Sequence, residues 1–427
     1  MEGEGSTLPA EAEAPEQRAS STGGLAAQPA RGIAPVARVP RRLRRVLSLE
    51  DFERAGRRFL PRPIAGFISG AAETDSSLHA NREAFADLAF IPRVLVNTAG
   101  RNQATTLFGR YCAAPFGLAP MGASALAAFD GDVVLARAAA AAGIPAILSA
   151  SSLIPLERVA QQAPGTWYQA YLPGEPDRIE RLVDRVARAG FETFVLTADV
   201  PVPANRENNV RNGFALPLKP SLRLAWDGIT HPAWLLGTAA RTLMRHGLPH
   251  FENMDAHRGP PILSAGSVRQ LGTRDEFSWE HLALIRRRWQ GNLVVKGILA
   301  REDARIARDC GADGIIVSNH GGRQLDGAVA PLRVLADIVA EAGEMAVMLD
   351  SGVRRGTDVL KALALGAHFV FVGRPFLCAA AIAGEAGVRH GIDLLSEEID
   401  RNMALLGITD LSQVQPELLT WARGGPR

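Results

Sequence analysis

The most restrictive feature of the sequence is a series of eight short apolar runs, separated by segments with helical periodicity. The runs are FGLAP from residue 116, AILS from 146, WYQAY from 167, TFVLTAD from 193, LVVK from 293, GIIVSN from 314, AVMLD from 346 and FVFVG from 369. Runs that are apolar on both faces are typical of parallel strands covered by helices. Eight of them in succession predict a closed (β/α)8 TIM barrel rather than an open sheet.

The segments between the runs carry apolar residues at helical spacing. In PDRIERLVDRVARAG, the residues Ile179, Leu182, Val183 and Val186 fall at i, i+3, i+4 and i+7, on one face of a helix that Gly190 is expected to end. The segments EDARIARDCG, LRVLADIVAEAG and GTDVLKALALGA behave alike. Strands and helices are therefore predicted to alternate from about residue 113 onward.

The spacing of the runs also predicts the domain organisation. Residues 1–40 are rich in Ala, Gly, Pro, Ser and Glu without an apolar period, and we expect a disordered tail. Residues 41–427 are predicted to form one barrel domain that begins with a helical segment. The gap after the fourth run is far longer than a βα unit needs, so residues 207–277 are predicted to form an insertion, or lid, at the carboxyl ends of the strands.

Composition narrows the class of protein. Apolar residues make up 47% of the chain and charged residues 22%, which indicates a large folded core. The net charge of +2 gives no support for nucleic-acid binding. Three widely spaced cysteines predict neither disulfides nor a metal site and favour a cytoplasmic location. No apolar stretch is long enough to span a bilayer, and the N-terminus lacks the pattern of a secretory signal.

Residues able to contact a ligand follow the apolar runs, where the strands are predicted to end. After the first six runs they are Met121, Gly122, Ser149, Gln169, Tyr171, Thr197, Asp199, Lys296, Ser318, Asn319 and His320. In a (β/α)8 barrel these ends open on one face, where active sites are found. A buried core does not need so many polar groups, so the pattern predicts a large polar ligand across the barrel mouth.

Two loops near the C-terminus are predicted to bind phosphate. The loops SGVRRGTD and GRP, after the seventh and eighth runs, combine glycine amides with arginine side chains, which together neutralise a phosphate group. The residues concerned are Asp350, Ser351, Gly352, Arg354, Gly373 and Arg374. Each loop alone would be interpreted as an ordinary turn, but both stand where barrels commonly bind phosphate.

The segment SNHGGRQLDG is the strongest local signal. His320 is followed by two glycines, which allow a ligand to approach the backbone, and then by Arg323. An imidazole and a guanidinium on such a turn suit a base beside a carboxylate-binding group. Asp199, at the end of the fourth run, is predicted to orient the imidazole and to stabilise its charged form.

Together these motifs resemble the FMN-dependent 2-hydroxy-acid dehydrogenase and oxidase family, which includes glycolate oxidase, L-lactate dehydrogenase and mandelate dehydrogenase. The resemblance runs from about residue 46 to 415 and includes, in order, LTAD, VVKGI, SNHGGRQLDG, GVRRGTDV, KALALGA, VGRP and GEAGV. It implies a barrel that binds FMN and oxidises an L-2-hydroxy acid, lactate-like or larger, to the 2-oxo acid. It also implies a homotetramer.

The resemblance gives a role to each matching residue. It implies that His320 is the catalytic base with Asp199 behind it, and that Arg323, Arg206 and Tyr171 bind the substrate. Lys296 would lie beside the flavin ring and stabilise the negative charge of its reduced form. The other flavin-binding positions are Met121, Gly122, Ser149, Gln169, Thr197, Ser318, Asp350, Ser351, Gly352, Arg354, Gly373 and Arg374.

The sequence departs from the family pattern at three positions. Phe67, predicted to contact the substrate, stands where a carboxylate-binding tyrosine usually stands; losing that hydroxyl is expected to cost about 1–3 kcal/mol if it bonded a charged group. Ser151 stands where glycolate oxidase has a tryptophan, which predicts a wider pocket. Ser351 replaces a glycine of the phosphate loop and is expected to be tolerated unless its φ angle is positive.

The insertion leaves the electron acceptor open. The segment THPAWLLGTAARTLMRHGLPHFEN is similar in pattern to lactate and mandelate dehydrogenases, and its composition suits a helix at a membrane interface. The alternative is a lid helix packed on its own barrel or on another subunit. Peripheral contact with the inner face of the cell membrane would favour a quinone as the acceptor; without it, oxygen or a soluble carrier is favoured.

Two other functions fit part of the pattern. An FMN-dependent barrel isomerase would keep the phosphate loops but would not explain the pairing of His320 with Arg323. A non-catalytic flavin-binding or membrane-associated protein would not need an intact set of His320, Asp199, Arg323, Tyr171 and Lys296.

Overall fold

Eight parallel strands form the centre of the molecule. The computed structural model describes residues 40–215, 222–264 and 274–422. The strands are β1 (Phe116–Leu118), β2 (Ile147–Ser149), β3 (Trp167–Ala170), β4 (Thr193–Thr197), β5 (Asn292–Ile298), β6 (Gly314–Val317), β7 (Ala346–Leu349) and β8 (Phe369–Val372). Each strand from β2 to β8 pairs in parallel with the next, and β8 pairs with β1. A bridge between Leu118 and Ala146 joins β1 to the start of β2. The prediction of a (β/α)8 barrel is confirmed.

A helix follows each strand and covers the outside of the barrel. These helices are α1 (Gly131–Ala141), α2 (Leu156–Gln162), α3 (Pro176–Arg188), α4 (Trp279–Arg288), α5 (Arg301–Asp309), α6 (Pro331–Ala342), α7 (Gly356–Ala364) and α8 (Arg374–Leu406). The predicted helix in PDRIERLVDRVARAG is α3, whose four predicted apolar residues are all buried. Gly190, with φ of 83°, lies just beyond its end as expected.

The interior of the barrel is filled with apolar side chains, so it is a packed core and not a channel. Trp167, Val294, Ile316, Met348 and Phe371 are among the buried residues that meet there. At the end of the barrel where the strands begin, Phe108 packs on Trp167 with ring centroids 5.6 Å apart. Phe108 lies in the turn of a hairpin formed by strands Thr105–Leu107 and Arg110–Cys112, which covers this end of the barrel. This end of the barrel is therefore closed, whereas the strands finish at the opposite end.

The predicted N-terminal helical segment consists of helices Leu49–Phe59, Arg62–Ser69 and Ser76–Ala86. The third of these is fixed to the loop after β6 by Asp326, whose carboxylate accepts hydrogen bonds from the backbone N–H groups of Thr74 (3.0 Å) and Ser77 (2.8 Å). Asn81 and Asn319 also exchange two buried amide hydrogen bonds of 2.8 and 2.7 Å. These contacts bring the N-terminal segment over the barrel mouth. A further strand, Leu88–Phe90, pairs with Leu419–Trp421.

Between β4 and α4 lie the helices of the predicted insertion. Glu207–Asn212 and Leu222–Thr230 are followed by a continuous helical stretch made of Pro232–Trp234, a π-helical Leu235–Ala240 and Arg241–His246. We call this stretch, residues 232–246, the rim helix. No helix in the described ranges is long and apolar enough to cross a membrane. Parts of two predicted segments lie outside the described residues: residues 1–39 of the tail, and residues 216–221 and 265–273 of the insertion.

Candidate active site

A cavity of about 870 Å³, including its opening to solvent, lies at the carboxyl ends of the strands. Fourteen of the residues predicted from the sequence line it: Phe67, Met121, Gly122, Tyr171, Thr197, Lys296, His320, Arg323, Asp350, Ser351, Gly352, Arg354, Gly373 and Arg374. The remaining six, Asp199, Arg206, Ser149, Gln169, Ser318 and Asn319, do not line it directly, and the amide of Asn319 is paired with Asn81. Asp199, Arg206 and Ser318 hydrogen-bond to residues that do, whereas Ser149 and Gln169 bond to each other at 3.0 Å. The structure thus brings the predicted residues together from both ends of the chain.

His320 leaves β6 in a left-handed conformation, with φ of 58°. Its Nδ1 lies 2.9 Å from Oδ1 of Asp199, and its Nε2 lies 3.3 Å from the hydroxyl of Tyr171. Gly297, with φ of 106°, allows this approach, since a Cβ there would lie 2.6 Å from the Asp199 Cβ. The carboxylate occupies one ring nitrogen, so the other is directed toward the cavity.

Burial and charge set the protonation of this pair. Burial lowers the pKa of His320 below its usual range, although the Asp199 carboxylate opposes that change. Burial raises the pKa of Asp199, but His320 and Lys296 outweigh this, and the pKa lies below its usual range. Near neutral pH the imidazole is therefore neutral and the carboxylate is ionised, which is the state that a general base requires.

Lys296 provides a fixed positive charge at the end of β5. Its Nζ donates a hydrogen bond of 2.7 Å to Ser318 Oγ and lies 3.0 Å from Oδ2 of Asp350. Burial opposes its charge, but Asp350 and Asp199 outweigh burial and raise the pKa of the ammonium group. Lys296 therefore remains charged inside the cavity.

Three arginines, Arg206, Arg323 and Arg374, cluster at the side of the cavity next to the N-terminal helices. Arg323 donates to the carbonyl oxygens of Phe67 (2.7 Å) and Gly70 (2.8 Å), and Arg374 donates to Gly321 O (2.8 Å). Burial, and then the neighbouring Arg206 and Arg374, lower the pKa of Arg323 well below its usual range. Within the described part of the chain, no carboxylate forms an ion pair with any of the three. This uncompensated positive charge favours an anionic ligand.

The two predicted phosphate-binding arginines differ in their partners. Arg354 forms a two-point ion pair with Glu53, at 2.7 and 2.8 Å, whereas Arg374 donates only to carbonyl oxygens in the described residues. Burial lowers the pKa of Arg374 to about 10. Ser351 has φ of 79°, which is the condition under which the sequence predicted strain at this position. Its Oγ accepts a hydrogen bond from Gly321 N (2.9 Å) and donates one to Asp350 (2.9 Å).

The ring of Phe67 lines the cavity and is supported by a second aromatic ring. Phe67 stacks on Phe214 with centroids 4.4 Å apart, and the Arg323 guanidinium lies 4.9 Å from the Phe67 centroid. Ser151 packs against Gly122 and does not itself line the cavity. Arg274, which the sequence reasoning missed, is only 8% exposed and lies 4.6 Å from the centroid of Tyr171. It lies near the end of the predicted insertion (residues 207–277) and ends no strand, so only its position before α4 could have suggested it.

Comparison with known proteins identifies the family. Residues 56–421 match the family described as FMN-dependent dehydrogenase. The chain belongs to this family. It is 36% identical to the (S)-mandelate dehydrogenase of Pseudomonas putida over 375 residues, which covers 88% of this chain and 94% of that protein. It is 39% identical to the L-lactate dehydrogenase of Ectopseudomonas mendocina over 378 residues, which covers 87% of this chain and 98% of the relative.

Solved structures give the same result. The structure of the monotopic membrane protein (S)-mandelate dehydrogenase aligns with a TM-score of 0.81 at 36% identity, and covers 88% of this chain and 99% of that one. A mandelate oxidase with benzoyl-formic acid aligns with a TM-score of 0.72 at 37% identity, and covers 88% and 98%. The predictions of an oxidoreductase, of FMN as its cofactor and of the family are confirmed. Mandelate and lactate are both 2-hydroxy acids, in agreement with the predicted reaction.

The residues of the cavity suit FMN. The hydroxyl of Thr197 is buried and has no hydrogen-bond partner among the described residues, so it is available to hydrogen-bond the polar edge of the flavin ring. Lys296 lies in the same cavity and offers a cation to that edge, and Arg374 with the backbone at Gly352 and Gly373 offers donors to a phosphate. A ligand with a polar ring at one end and a phosphate at the other fits this arrangement.

Proposed function

We propose that the chain oxidises the hydroxyl group of an L-2-hydroxy acid, lactate-like or larger, and forms the 2-oxo acid. The pairing of His320 with Asp199 at 2.9 Å, in one cavity with the arginine cluster and Lys296, carries this proposal. A base and anion-binding groups in one cavity are what the oxidation of a hydroxy acid requires.

In this proposal the arginine cluster holds the substrate carboxylate. Arg323 presents a planar guanidinium whose buried charge lacks a carboxylate partner among the described residues, and Arg206 adds a second charge beside it. The Tyr171 hydroxyl, 3.3 Å from Nε2 of His320, orients the substrate oxygen toward the imidazole. Phe67 offers an apolar face to the substrate side chain.

His320 then accepts the proton at Nε2. Asp199 holds the opposite nitrogen and stabilises the imidazolium that forms, because its carboxylate is ionised. FMN, when bound, accepts the two electrons. Lys296 and Thr197 would hold the ring, and Arg354, Arg374, Asp350, Ser351, Gly352 and Gly373 would hold the phosphate and its chain. Met121, Gly122, Ser149, Gln169 and Ser318 would complete the ring site.

Anaerobic stopped-flow measurement of flavin absorbance tests the proposal. Glycolate, L-lactate, L-mandelate and longer L-2-hydroxy acids would each be mixed with the FMN-loaded protein. We expect L-lactate and L-mandelate to bleach the flavin faster than glycolate, because Phe67, which lines the cavity, would pack against a side chain that glycolate lacks. Flavin that stays oxidised with every acid would contradict the proposal and favour the isomerase or the non-catalytic protein.

We further propose that the insertion contacts a membrane surface. Trp226, Ile229, Leu236, Leu243 and Met244 are all exposed, which is unusual for so many large apolar side chains in one region. The similarity to a protein described as a monotopic membrane protein supports this. Co-sedimentation with anionic phospholipid vesicles tests it: Leu243→Asp should reduce binding, and equal binding of the variant and the parent would contradict it.

The family resemblance also supports a homotetramer. Light scattering of the FMN-loaded protein would give four times the mass of the chain, and a monomer at micromolar concentration would contradict this part of the proposal.

A further inference from the structure

A second cavity lies between the rim helix and the barrel. Its volume is about 710 Å³, including its opening to solvent. The rim helix contributes Thr242 and His246, and the loop between β2 and α2 contributes Leu153 and Ile154. None of the described residues that line this cavity also lines the active-site cavity. We call it the rim cavity.

The rim helix buries Trp234 but also buries two threonines and exposes several large apolar side chains. Thr238 and Thr242, four residues apart, are only 4% and 7% exposed, whereas Leu236, Leu243 and Met244 are 69%, 52% and 77% exposed. A surface helix of a globular protein normally buries its apolar face and exposes its polar one. The outer face of the rim helix, which also carries the exposed Arg241 and Arg245, therefore suits a boundary between water and an apolar surrounding, and its inner face supplies Thr242 to the rim cavity.

Two polar groups that line the rim cavity are Thr242 and His246. The hydroxyl of Thr242 is buried and has no partner within the described residues, although buried hydroxyl groups are normally hydrogen-bonded. His246 is held by Phe129, on which its ring stacks at 5.4 Å, and its Nε2 lies 2.9 Å from Oδ1 of Asp130. The rim cavity thus offers a hydroxyl donor and an imidazole that is linked to a carboxylate.

The charges around the rim cavity cancel. Arg158 pairs with Asp130 at 2.6 Å, and Arg258 pairs with Glu252 at 2.8 Å. The rest of the wall is mostly apolar and consists of Ala125, Leu153, Ile154, Pro155, Leu248 and Pro249. A neutral wall does not favour an anionic headgroup. It suits a neutral, largely apolar ring that carries hydrogen-bond acceptors.

The rim cavity and the active-site cavity are lined by nearby residues of the same loops. Gly122 lines the active-site cavity, and Ala125, three residues later, lines the rim cavity. Across from them, Ser151 packs so closely on Gly122 that a Cβ there would lie 2.9 Å from the Ser151 Cβ. Leu153, two residues after Ser151, lines the rim cavity. Neighbouring residues of the same two loops therefore line the two cavities.

We propose that the rim cavity binds the ring of a quinone that accepts the electrons of the reduced flavin. The inference rests on the proposed function, since the hydroxy acid supplies those electrons. Thr242 donates a hydrogen bond to a quinone oxygen, the His246 ring lies beside the quinone ring, and the apolar tail leaves beside Leu248 and the exposed outer face of the rim helix. The hydroxy acid loses two electrons and two protons, and the quinone gains two of each and leaves as the quinol, so the reaction balances without another reactant.

Binding to the oxidised protein tests the proposal without turnover. Ubiquinone-1 would be titrated into the FMN-loaded protein by calorimetry. Thr242→Val removes the hydroxyl at nearly constant shape and should raise the Kd roughly five- to twentyfold, the effect of one buried hydrogen bond. Pro249→Trp should fill the rim cavity and abolish binding. Thr238→Val is the matched control, because Thr238 is equally buried on the same helix but does not line the rim cavity; it should bind ubiquinone-1 as the parent does.

A second readout separates this proposal from the proposed function. In anaerobic stopped flow, the Thr242→Val and Pro249→Trp proteins should be bleached by the hydroxy acid at the parent rate, but ubiquinone-1 should reoxidise them more slowly. Reoxidation by ferricyanide should be unchanged. Equal ubiquinone-1 affinity in all four proteins, or no binding to the parent, would overturn the quinone site. Failure of the hydroxy acid to bleach the flavin would instead overturn the proposed function, and the titration would still report on the rim cavity.

Discussion

The two sides of the active-site cavity differ in whether their charged side chains have oppositely charged partners in the protein. On one side, each ionisable group has an oppositely charged partner in the protein: His320 lies 2.9 Å from Asp199, and Lys296 lies 3.0 Å from Asp350. On the other side, Arg323 and Arg374 donate to carbonyl oxygens and form no ion pair with a described carboxylate. The first side is organised without a ligand, whereas the second gains its missing negative charge from one.

This difference separates the expected effects of mutation. Changes on the paired side should alter the rate of chemistry or the properties of the flavin, because the ligand does not complete those pairs. Changes on the arginine side should alter affinity, because a bound anion there compensates a buried charge. If mutations on both sides changed the rate and the affinity alike, this distinction between the two sides would be wrong.

The largest effect is expected for His320→Ala. Without the base, the rate of flavin reduction by L-lactate or L-mandelate should fall by about 10²–10⁴-fold, and FMN should remain bound. Stopped-flow absorbance measures the rate, and the visible spectrum measures the flavin content. His79→Ala, which changes an exposed histidine on helix Ser76–Ala86, is the control. Reduction of the His320→Ala protein at the parent rate would exclude His320 as the base.

A smaller effect, confined to affinity, is expected for Arg323→Lys. The lysine keeps the positive charge but loses the planar fork, so the Kd for the substrate should rise roughly 10- to 100-fold, as expected for a hydrogen bond to a charged group. The limiting rate of flavin reduction should change far less. The substrate dependence of that rate gives both quantities. A large loss of limiting rate at unchanged Kd would contradict the division between the two sides.

Lys296→Met should act on the flavin itself. Loss of the fixed cation should lower the two-electron midpoint potential by about 30–60 mV, which corresponds to about 1.4–2.8 kcal/mol. Because the single variant leaves Asp350 without its cation, the double variant Lys296→Met/Asp350→Asn serves as a second test. Lys361→Met, whose ammonium group donates to Phe85 O outside the cavity, is the control. An unchanged potential in both Lys296 variants would rule out a contact between Lys296 and the flavin.

The pH dependence of flavin reduction tests whether Asp199 raises the pKa of His320. Burial lowers the pKa of His320 below 6.5, so the base is deprotonated at neutral pH and is lost only as the pH falls through that lower pKa. The rate at low substrate concentration should therefore be level above pH 6.5 and fall about tenfold per pH unit below the break. Asp199 raises the pKa of His320, so Asp199→Asn should move the break to lower pH. A break above pH 7 in the parent would contradict this assignment.

The fold was predictable because its signal is local and repeated. Each barrel strand is apolar on both faces, so eight short runs identified all eight strands without knowledge of their partners. The rim helix shows where this reasoning fails. Its composition suggested an interface, but only the structure shows that Thr238 and Thr242 face inward while Leu243 and Met244 face outward, partly because a π-helical turn shifts its register.

Residues of the candidate site were predictable where they end strands or stand in motifs, as with Lys296 and the segment around His320. Contacts between residues that are far apart in the sequence were not predictable. The sequence did not indicate that Glu53 pairs with Arg354, 301 positions away, or that Arg274 lies over Tyr171. Neither residue ends a strand, and only the folded chain brings them to the cavity.

The smallest expected effect concerns strain at Ser351. Its φ of 79° is unfavourable for a residue with a Cβ, by about 1–2 kcal/mol, but its hydroxyl bonds to Gly321 and Asp350 offset this. Ser351→Ala loses the bonds and keeps the strain, whereas Ser351→Gly loses both. Unfolding of the FMN-free proteins should therefore show Ser351→Gly to be more stable than Ser351→Ala by about 1 kcal/mol, a shift of about 2 °C in Tm. Equal stability of the two variants would mean that the loop tolerates a Cβ in this conformation, and the hydroxyl bonds alone would then account for the preference for serine.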